Sequence, residues 1–281
     1  MSDIILQIET YMSYPFIIYA LIVGILIALS SSLLGSTFVL KKSSFACNGL
    51  SNVAFAVMSI ATVLNIFSNT IIVMFITILA AILLFNRNQK DEIKRDSAVN
   101  IISVGSVAIG YLILSIFNKS SDLANDVCST LFGTTSILEL TKSDILICTV
   151  MSLIVVVIFI IFYNKIFAIT FDEEFAKATG VKTGIYSLLI SIIVAIVIVL
   201  AMKLVGSLLI SAIIILPSLS SMKVIKSFKG TVICSTIISI ICAIFGMIIS
   251  ILLSIPVGPT ITVTNIVIFI VFSLFGSLIG K

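Results

Sequence analysis

The chain has 281 residues, of which 60% are hydrophobic and only 10% are charged, with a formal net charge of +4 and a mean hydropathy of +1.35. A water-soluble domain of this size cannot keep so much apolar surface from solvent, so the composition excludes a soluble globular protein and indicates a lipid bilayer as the solvent. The apolar runs are too long and too uniform for the roughly ten-residue alternating strands of a membrane barrel. The composition therefore predicts an all-α, polytopic transmembrane helix bundle.

Nine apolar segments occupy almost the whole chain and predict about nine spans within a single transmembrane domain, residues 1–281. A hydrocarbon core of roughly 30 Å needs about 20 residues of helix, and the second and third segments are shorter than that. The predicted spans are 16–40, 53–66, 70–85, 98–117, 144–163, 183–202, 204–221, 231–254 and 261–279.

The basic residues predict the orientation of these spans. If the N-terminus lies outside, 13 of the 16 Lys and Arg residues fall in cytoplasmic segments, and Lys119, Lys142 and Lys203 remain outside. Basic residues favour the cytoplasmic side in short loops, and an odd number of spans then puts the C-terminus inside. Asp3 and Glu9 stand where a signal peptide would be basic, so we expect the first span to remain as an anchor. The positive charge fits loops that face anionic lipid and needs no nucleic-acid partner.

Small residues recur along one face of the first predicted span, at spacings of three and four. This pattern predicts that neighbouring helices approach closely there. The residues are Gly24, Ala28, Ser31, Ser32 and Gly35.

The seventh predicted span is bracketed by Gly206 and Pro217, and Lys203 precedes it at the expected outer interface. Proline removes a backbone donor inside a helix, so we expect a kink near Pro217. Broken helices line the pathway in many transporters, but a kink that serves only packing is equally compatible with the sequence.

Few polar residues lie inside the predicted spans. Asn48 and Asn52 share a helix face at the cytoplasmic start of the second span, whereas no Asp or Glu lies deep in a span and the chain contains no histidine. A carrier coupled to protons or sodium usually needs an intramembrane carboxylate or a backbone ion site, so this pattern disfavours an ion-coupled secondary transporter without excluding it.

The cytoplasmic segment 170–180 predicts a short, capped helix. Thr170 or Asp172 can cap its start, acidic residues fill its first turn, and Gly180 suits its end. Phe171 and Phe175 stand at i and i+4 and give the helix one aromatic edge. Physical reasoning alone leaves two interpretations open: a helix that lies on the membrane surface, and a knob that docks in a groove of a partner protein.

Six segments, in chain order, resemble one family. They are 35–42 (GSTFVLKK), 48–53 (NGLSNV), 94–98 (KRDSA), 131–133 (LFG), 171–181 (FDEEFAKATGV), and 203–209 (KLVGSLL) with the Leu-Pro pair at 216–217. The family is that of the membrane permeases of bacterial ABC importers for divalent metals such as zinc, manganese and iron. The resemblance covers most of the chain.

The resemblance implies a permease in the bacterial cell (inner) membrane that forms a homodimer, binds two cytoplasmic ATPase subunits and receives cargo from an extracytoplasmic substrate-binding protein. The chain itself would hold no catalytic residue and no cofactor, because ATP would be used by the partner subunit. Lys203, Gly206 and Pro217 would form a kink or gate. The segment that couples to the ATPase would comprise Phe171, Asp172, Glu173, Glu174, Phe175, Ala176 and Gly180.

The chain departs from the family at one motif. Where the family has an Asp and a His as candidate metal ligands in the second span, this chain has Asn48 and Asn52. A neutral amide is a weaker ligand for zinc or manganese than carboxylate or imidazole. The sequence therefore predicts either weak, transient metal ligands, with selectivity left to the binding protein, or a different cargo such as a metal chelate.

Overall fold

The computed structural model describes residues 15–41, 43–64, 70–85, 92–117, 131–133, 142–253 and 255–278. Within these ranges the protein is helical and contains no strand, which confirms the predicted all-α fold. The helices in chain order are α1 (Pro15–Leu40), α2 (Ser44–Val63), α3 (Thr70–Phe85), α4 (Glu92–Phe117), α5 (Lys142–Phe171), α6 (Glu173–Ala178), α7 (Thr183–Val205), α8 (Ser207–Met222), α9 (Phe228–Leu253) and α10 (Val257–Leu278).

Seven of the described helices, namely α1, α2, α4, α5, α7, α9 and α10, are long and apolar enough to cross a membrane. Two further apolar helices are shorter: α3, with its apolar stretch Ile71–Leu83, and α8. These two correspond to the third and seventh predicted spans. The structure thus shows a polytopic helical protein, and the total of nine spans stays a prediction.

Two predicted boundaries were wrong by more than two turns. Helix α2 begins at Ser44 rather than at residue 53, because its polar first turns pack against α4 and Gly49 lies directly against Val99. Helix α5 continues to Phe171 rather than ending at residue 163. Its last turns are held by ring contacts of Phe167 and Phe171 with Phe228 of α9, at centroid distances of 5.1 and 6.0 Å.

Contacts between helices give the relative direction of several of them. Helices α2 and α4 run parallel, since Gly49 meets Val99 and Gly110 meets Phe55 farther along both helices. Helices α1 and α9 run antiparallel, since Gly24 early in α1 meets Met247 late in α9, and Ser32 farther along α1 donates to Thr236 earlier in α9. Since α7 begins after α6 and ends at Gly206, one end of the bundle holds segment 131–133 and the α7–α8 junction, and the opposite end holds α6.

Helix α1 lies in the centre of the bundle, against α5, α8 and α9. A Cβ at Gly24 would lie 2.7 Å from the terminal methyl of Met247, and one at Gly35 would collide with the carbonyl oxygen of Ile214. Ser31 and Ser32 are fully buried. This confirms the predicted close approach along the small-residue face.

Hydroxyl groups reinforce these contacts. Ser239 of α9 donates to the Ala28 carbonyl at 2.9 Å, and Ser30 of α1 shares a 2.6 Å hydrogen bond with Ser152 of α5. Buried polar groups are costly unless they are paired, so these bonds fix the register of α1 against its neighbours.

Gly35→Ala tests this packing. Its Cβ would push against the backbone of α8, and overpacking of this kind costs about 1–3 kcal/mol, so we expect lower thermal stability in detergent and loss of monodisperse protein on size-exclusion chromatography. Gly105→Ala in α4 is the matched control, because a Cβ there meets nothing within 4 Å; it should be neutral or stabilising by up to about 1 kcal/mol. Equal stability of both variants would contradict the packing described here.

Candidate functional site

Asn48 and Asn52 both lie within α2, and the Asn52 side chain contacts α4. Asn52 is only 6% exposed, and its Nδ2 donates to Ser103 Oγ of α4 at 2.6 Å. Its Oδ1 is buried and accepts no hydrogen bond from any residue that the structure describes. Asn48, one turn earlier, is half-buried, and its backbone carbonyl accepts from Ser51 Oγ at 2.9 Å. The pair therefore offers uncharged oxygen acceptors inside the bundle.

Close helix contacts lie on both sides of the Asn52–Ser103 hydrogen bond. Toward α6, a Cβ at Gly49 would lie 2.5 Å from the side chain of Val99; toward the other end, one at Gly110 would lie 2.8 Å from the Phe55 ring. A hydrogen bond bracketed by two such contacts has little freedom to change register. The position of the Asn52 amide is thus set by the packing of α2 on α4.

The donors around this pair do not form a strong metal site. Among the residues covered by the structure, no group of three or more His, Cys, Asp or Glu residues is placed to hold a metal ion. Cys47 is a free, fully buried thiol beside Asn48 in the sequence. Neutral carbonyl oxygens suit brief contact with a hard cation, whereas zinc sites are usually built from thiolate and imidazole.

A second feature is a backbone junction at the end of the bundle opposite α6. Helix α7 ends at Val205, and Gly206 turns the chain into α8 with φ 87° and ψ 155°. Gly133 also has a positive φ of 67° and lies against Val205, and Gly258 at the start of α10 approaches the Phe132 carbonyl so closely that a Cβ would be 2.7 Å from it. Three chain segments thus meet through their backbones, at positions where only glycine fits.

Of the three residues predicted to form a kink or gate, Gly206 lies at this junction, Lys203 lies in the turn before it, and Pro217 lies farther along α8. Gly206 separates two helices, as a broken helix requires. Pro217 is buried inside α8, and the kink expected there stays a prediction. The backbone of Lys203 belongs to the last turn of α7, whereas its side chain lies outside the described residues.

Helix α6 has the caps that the sequence predicted. Asp172 Oδ1 accepts from the Phe175 backbone N–H at 2.8 Å, whereas Thr170 belongs to α5 and donates to Ile166. Asp172 is therefore the N-cap. At the far end Val181 N–H donates to the Ala176 carbonyl at 3.0 Å, and Gly180 has a φ of 84°. A six-residue helix is only marginally stable by itself, so α6 depends on these caps and on its buried face for stability.

The two phenylalanines that the sequence placed on one helix lie in different helices: Phe171 ends α5 and Phe175 lies in α6, because Asp172 between them has an extended backbone, with φ −149° and ψ 101°. Phe171 is 58% exposed and Phe175 is 65% exposed, while Ala176 on the opposite side is fully buried. Glu173 makes a 3.0 Å ion pair with Lys41 at the end of α1. The 171–180 segment is therefore anchored to α1 and α5 while it presents two phenylalanines and Glu174 outward.

The sequence indicated both the 171–180 segment and the amide pair, but it did not indicate the residues that contact them. Ser103 is 51 residues from Asn52, and Lys41 is far from Glu173 in the chain. Ser103 belongs to an apolar stretch with several hydroxyl residues, and nothing in the sequence singles it out. Lys41 and Lys42 predict a cytoplasmic position for this segment, but they do not indicate which carboxylate pairs with Lys41.

The fold and these features are those of a polytopic membrane permease, and comparison with known proteins gives the family. A family model described as the ABC 3 transport family matches residues 13–276, nearly the full length, and the chain belongs to this family. It is thus a permease of the metal ABC importer type.

Individual relatives agree. The chain is 25% identical over 272 residues to the manganese transport system membrane protein MntC of Listeria monocytogenes, which covers 96% of this chain and 94% of that protein. It is 24% identical over 242 residues to the high-affinity zinc uptake system membrane protein ZnuB of Buchnera aphidicola, with 86% and 90% covered. Its fold matches the structure of PsaBC from Streptococcus pneumoniae in complex with Fab, with a TM-score of 0.82, 24% identity, and 95% and 94% covered.

Proposed function

We propose that this chain is the transmembrane subunit of an ABC importer that moves a divalent metal ion (zinc, manganese or iron) or a metal chelate into the cell, driven by partner ATPases. The observation that carries the proposal is the capped helix α6, which is anchored to the end of α1 by the Lys41–Glu173 ion pair and exposes Phe175, together with the exposed Phe171 at the end of α5. Two exposed aromatic side chains, one at the end of α5 and one in the anchored helix α6, suit a groove of a partner protein. An ion-coupled secondary transporter needs no such element.

The proposed arrangement in the membrane has nine spans, with the N-terminus outside and the C-terminus inside. Two observations support it: the basic residues favour one side, and the long helix α7 begins after α6 and ends at Gly206, so that α6 and this junction lie at opposite ends. Helices α3 and α8 would then span although they are short, which protein neighbours or local bilayer thinning can accommodate.

In this arrangement each end of the bundle has a separate partner. The cytoplasmic end, with α6, receives the ATPases that hydrolyse ATP. The opposite end, with segment 131–133 and the glycine junction, receives cargo from an extracytoplasmic binding protein. Two copies of the chain form the pathway in the bacterial cell (inner) membrane, and Asn48 and Asn52 are the positions on it that cargo contacts. The chain performs no chemical step. Its contribution to transport is to change conformation when the ATPases change theirs.

The docking role of α6 predicts a clear result for Phe171→Ala and Phe175→Ala. Each removes an aromatic side chain that would be buried in the ATPase groove, and loss of such an anchor weakens binding about tenfold or more. ATPase subunits should co-purify poorly with either variant, and uptake by the reconstituted complex should fall in parallel. Phe245→Ala is the control, because Phe245 is 57% exposed but lies in α9, away from α6. Wild-type association and uptake in both variants would refute docking through this edge.

If Asn48 and Asn52 contact the cargo, replacing the two amides with the carboxylate and imidazole of the family motif should raise the affinity for metal. In the double variant Asn48→Asp and Asn52→His, stronger ligands replace neutral ones, so metal uptake should saturate at lower concentration and selectivity should shift toward zinc. Asn100→Asp adds a carboxylate at an exposed position of α4 and is the control. Uptake assays with labelled zinc and manganese measure the effect. Unchanged affinity and selectivity would exclude these two positions as determinants.

A further inference from the structure

We propose that Lys41 is a positioning residue for transport: its ion pair with Glu173 makes helix α6 follow the end of the central helix α1, so that movement of the docked ATPases reaches the core of the bundle. This inference rests on the proposed function, because it takes α6 to be an element that the ATPases hold. It adds a residue outside the 171–180 segment, and it separates the docking of the ATPases from the transmission of their movement.

Helix α6 is short, and the helical backbone is interrupted at both of its ends. Asp172 before it has an extended backbone, with φ −149° and ψ 101°, so α6 and α5 do not form one continuous helix. Gly180 after it has a φ of 84°, a left-handed conformation that favours glycine. The helix packs on α5 and α7, which adjoin it in the chain. Contacts in the fold, rather than a continuous helix, therefore set the orientation of α6.

The Lys41–Glu173 ion pair supplies such a contact with a helix that does not adjoin α6 in the chain. Lys41 Nζ lies 3.0 Å from a carboxylate oxygen of Glu173, and the two side chains are 29% and 49% exposed. Glu173 is the first residue of α6, directly after the extended backbone of Asp172. The ion pair therefore holds α6 at the end where it breaks away from α5.

The lysine end of the ion pair is fixed to α1. The Lys41 backbone N–H donates to the Thr37 carbonyl at 3.0 Å, and the Lys41 carbonyl accepts from Ser43 Oγ at 3.2 Å. Gly35, fewer than two turns earlier, lies against the α8 backbone at Ile214. A displacement of the Lys41 side chain by α6 thus acts on the packing at the centre of the bundle.

Stability and docking explain this ion pair less well than positioning does. Exposed ion pairs contribute little to the free energy of unfolding, because solvent screens the charges and both long side chains lose freedom. Docking would depend on the exposed rings of Phe171 and Phe175, which are not part of the pair. An interaction of this strength still shifts the balance between two orientations of α6 by about two- to fivefold.

Lys41→Met tests the proposal in the complete complex of permease, ATPases and binding protein, reconstituted in proteoliposomes. Methionine keeps an unbranched stem but removes the charge. The ATPase subunits should still co-purify and hydrolyse ATP, whereas the amount of labelled manganese or zinc imported per ATP hydrolysed should fall about two- to fivefold. Lys41→Arg, which keeps the charge, should preserve the wild-type ratio. Lys165→Met is the matched control and should also preserve it, because Lys165 is an exposed lysine of α5 that is not part of the pair.

A double variant shows whether Lys41 acts through Glu173. Glu173→Gln should lower the import per ATP by about the same factor as Lys41→Met. The two changes together should lower it no further than either change alone, because both remove the same interaction. Two independent effects would instead multiply.

Each outcome either supports or overturns the proposal. Unchanged import per ATP in Lys41→Met would overturn it, as would losses that multiply in the double variant or an equal loss in Lys165→Met. Loss of ATPase co-purification in Lys41→Met would also overturn it, because the pair would then serve docking. If the wild-type complex hydrolyses ATP but imports neither metal, the proposed function fails first and this inference falls with it. Size-exclusion profiles of all variants show that each complex is assembled.

Discussion

The close approach of α1 to α8 and α9 is the contact on which the bundle depends. Lipid tails solvate apolar side chains about as well as neighbouring helices do, so helices in a membrane are held by close packing and by hydrogen bonds between them. Gly35 allows the backbone of α1 to touch that of α8 near Ile214. Ser239 and Thr236 of α9 bond to α1 in the same region. Because α1 packs closely on α5, α8 and α9, a displacement of α1 would be transmitted to all three helices.

The end of α1 connects this central packing to the surface where the partner ATPases would act. Lys41, at the end of α1, pairs with Glu173 at the start of α6. Exposed ion pairs contribute little to stability, so this pair serves better to set the position of α6 than to hold the fold. Phe171 contacts Phe228 at the start of α9. Displacement of α6 together with the end of α5 would therefore reach α1 and α9, and these two helices meet again through Ser239 and Ala28.

Sequence reasoning found what depends on local chemistry and missed what depends on distant partners. The α6 helix was predicted with its cap at Asp172 as one of two candidates, because capping obeys rules within a few residues. The second span was predicted to begin at residue 53, because the apolar run begins only there and the sequence does not show that α4 covers the polar turns before it. Ser103 could not be found at all, since a serine in an apolar helix is informative only once its neighbour is known. The family resemblance supplied the partners and cargo class that composition could not.

The central claim is that ATP hydrolysis by a partner, acting through α6, moves a divalent metal across the membrane. The most direct measurement is labelled manganese or zinc accumulation in proteoliposomes that contain the permease with its ATPases and binding protein. The account predicts accumulation that requires ATP on the α6 side and persists when ionophores dissipate proton and sodium gradients. Accumulation driven by an ion gradient, with the permease alone and no ATP, would contradict it and identify a secondary transporter.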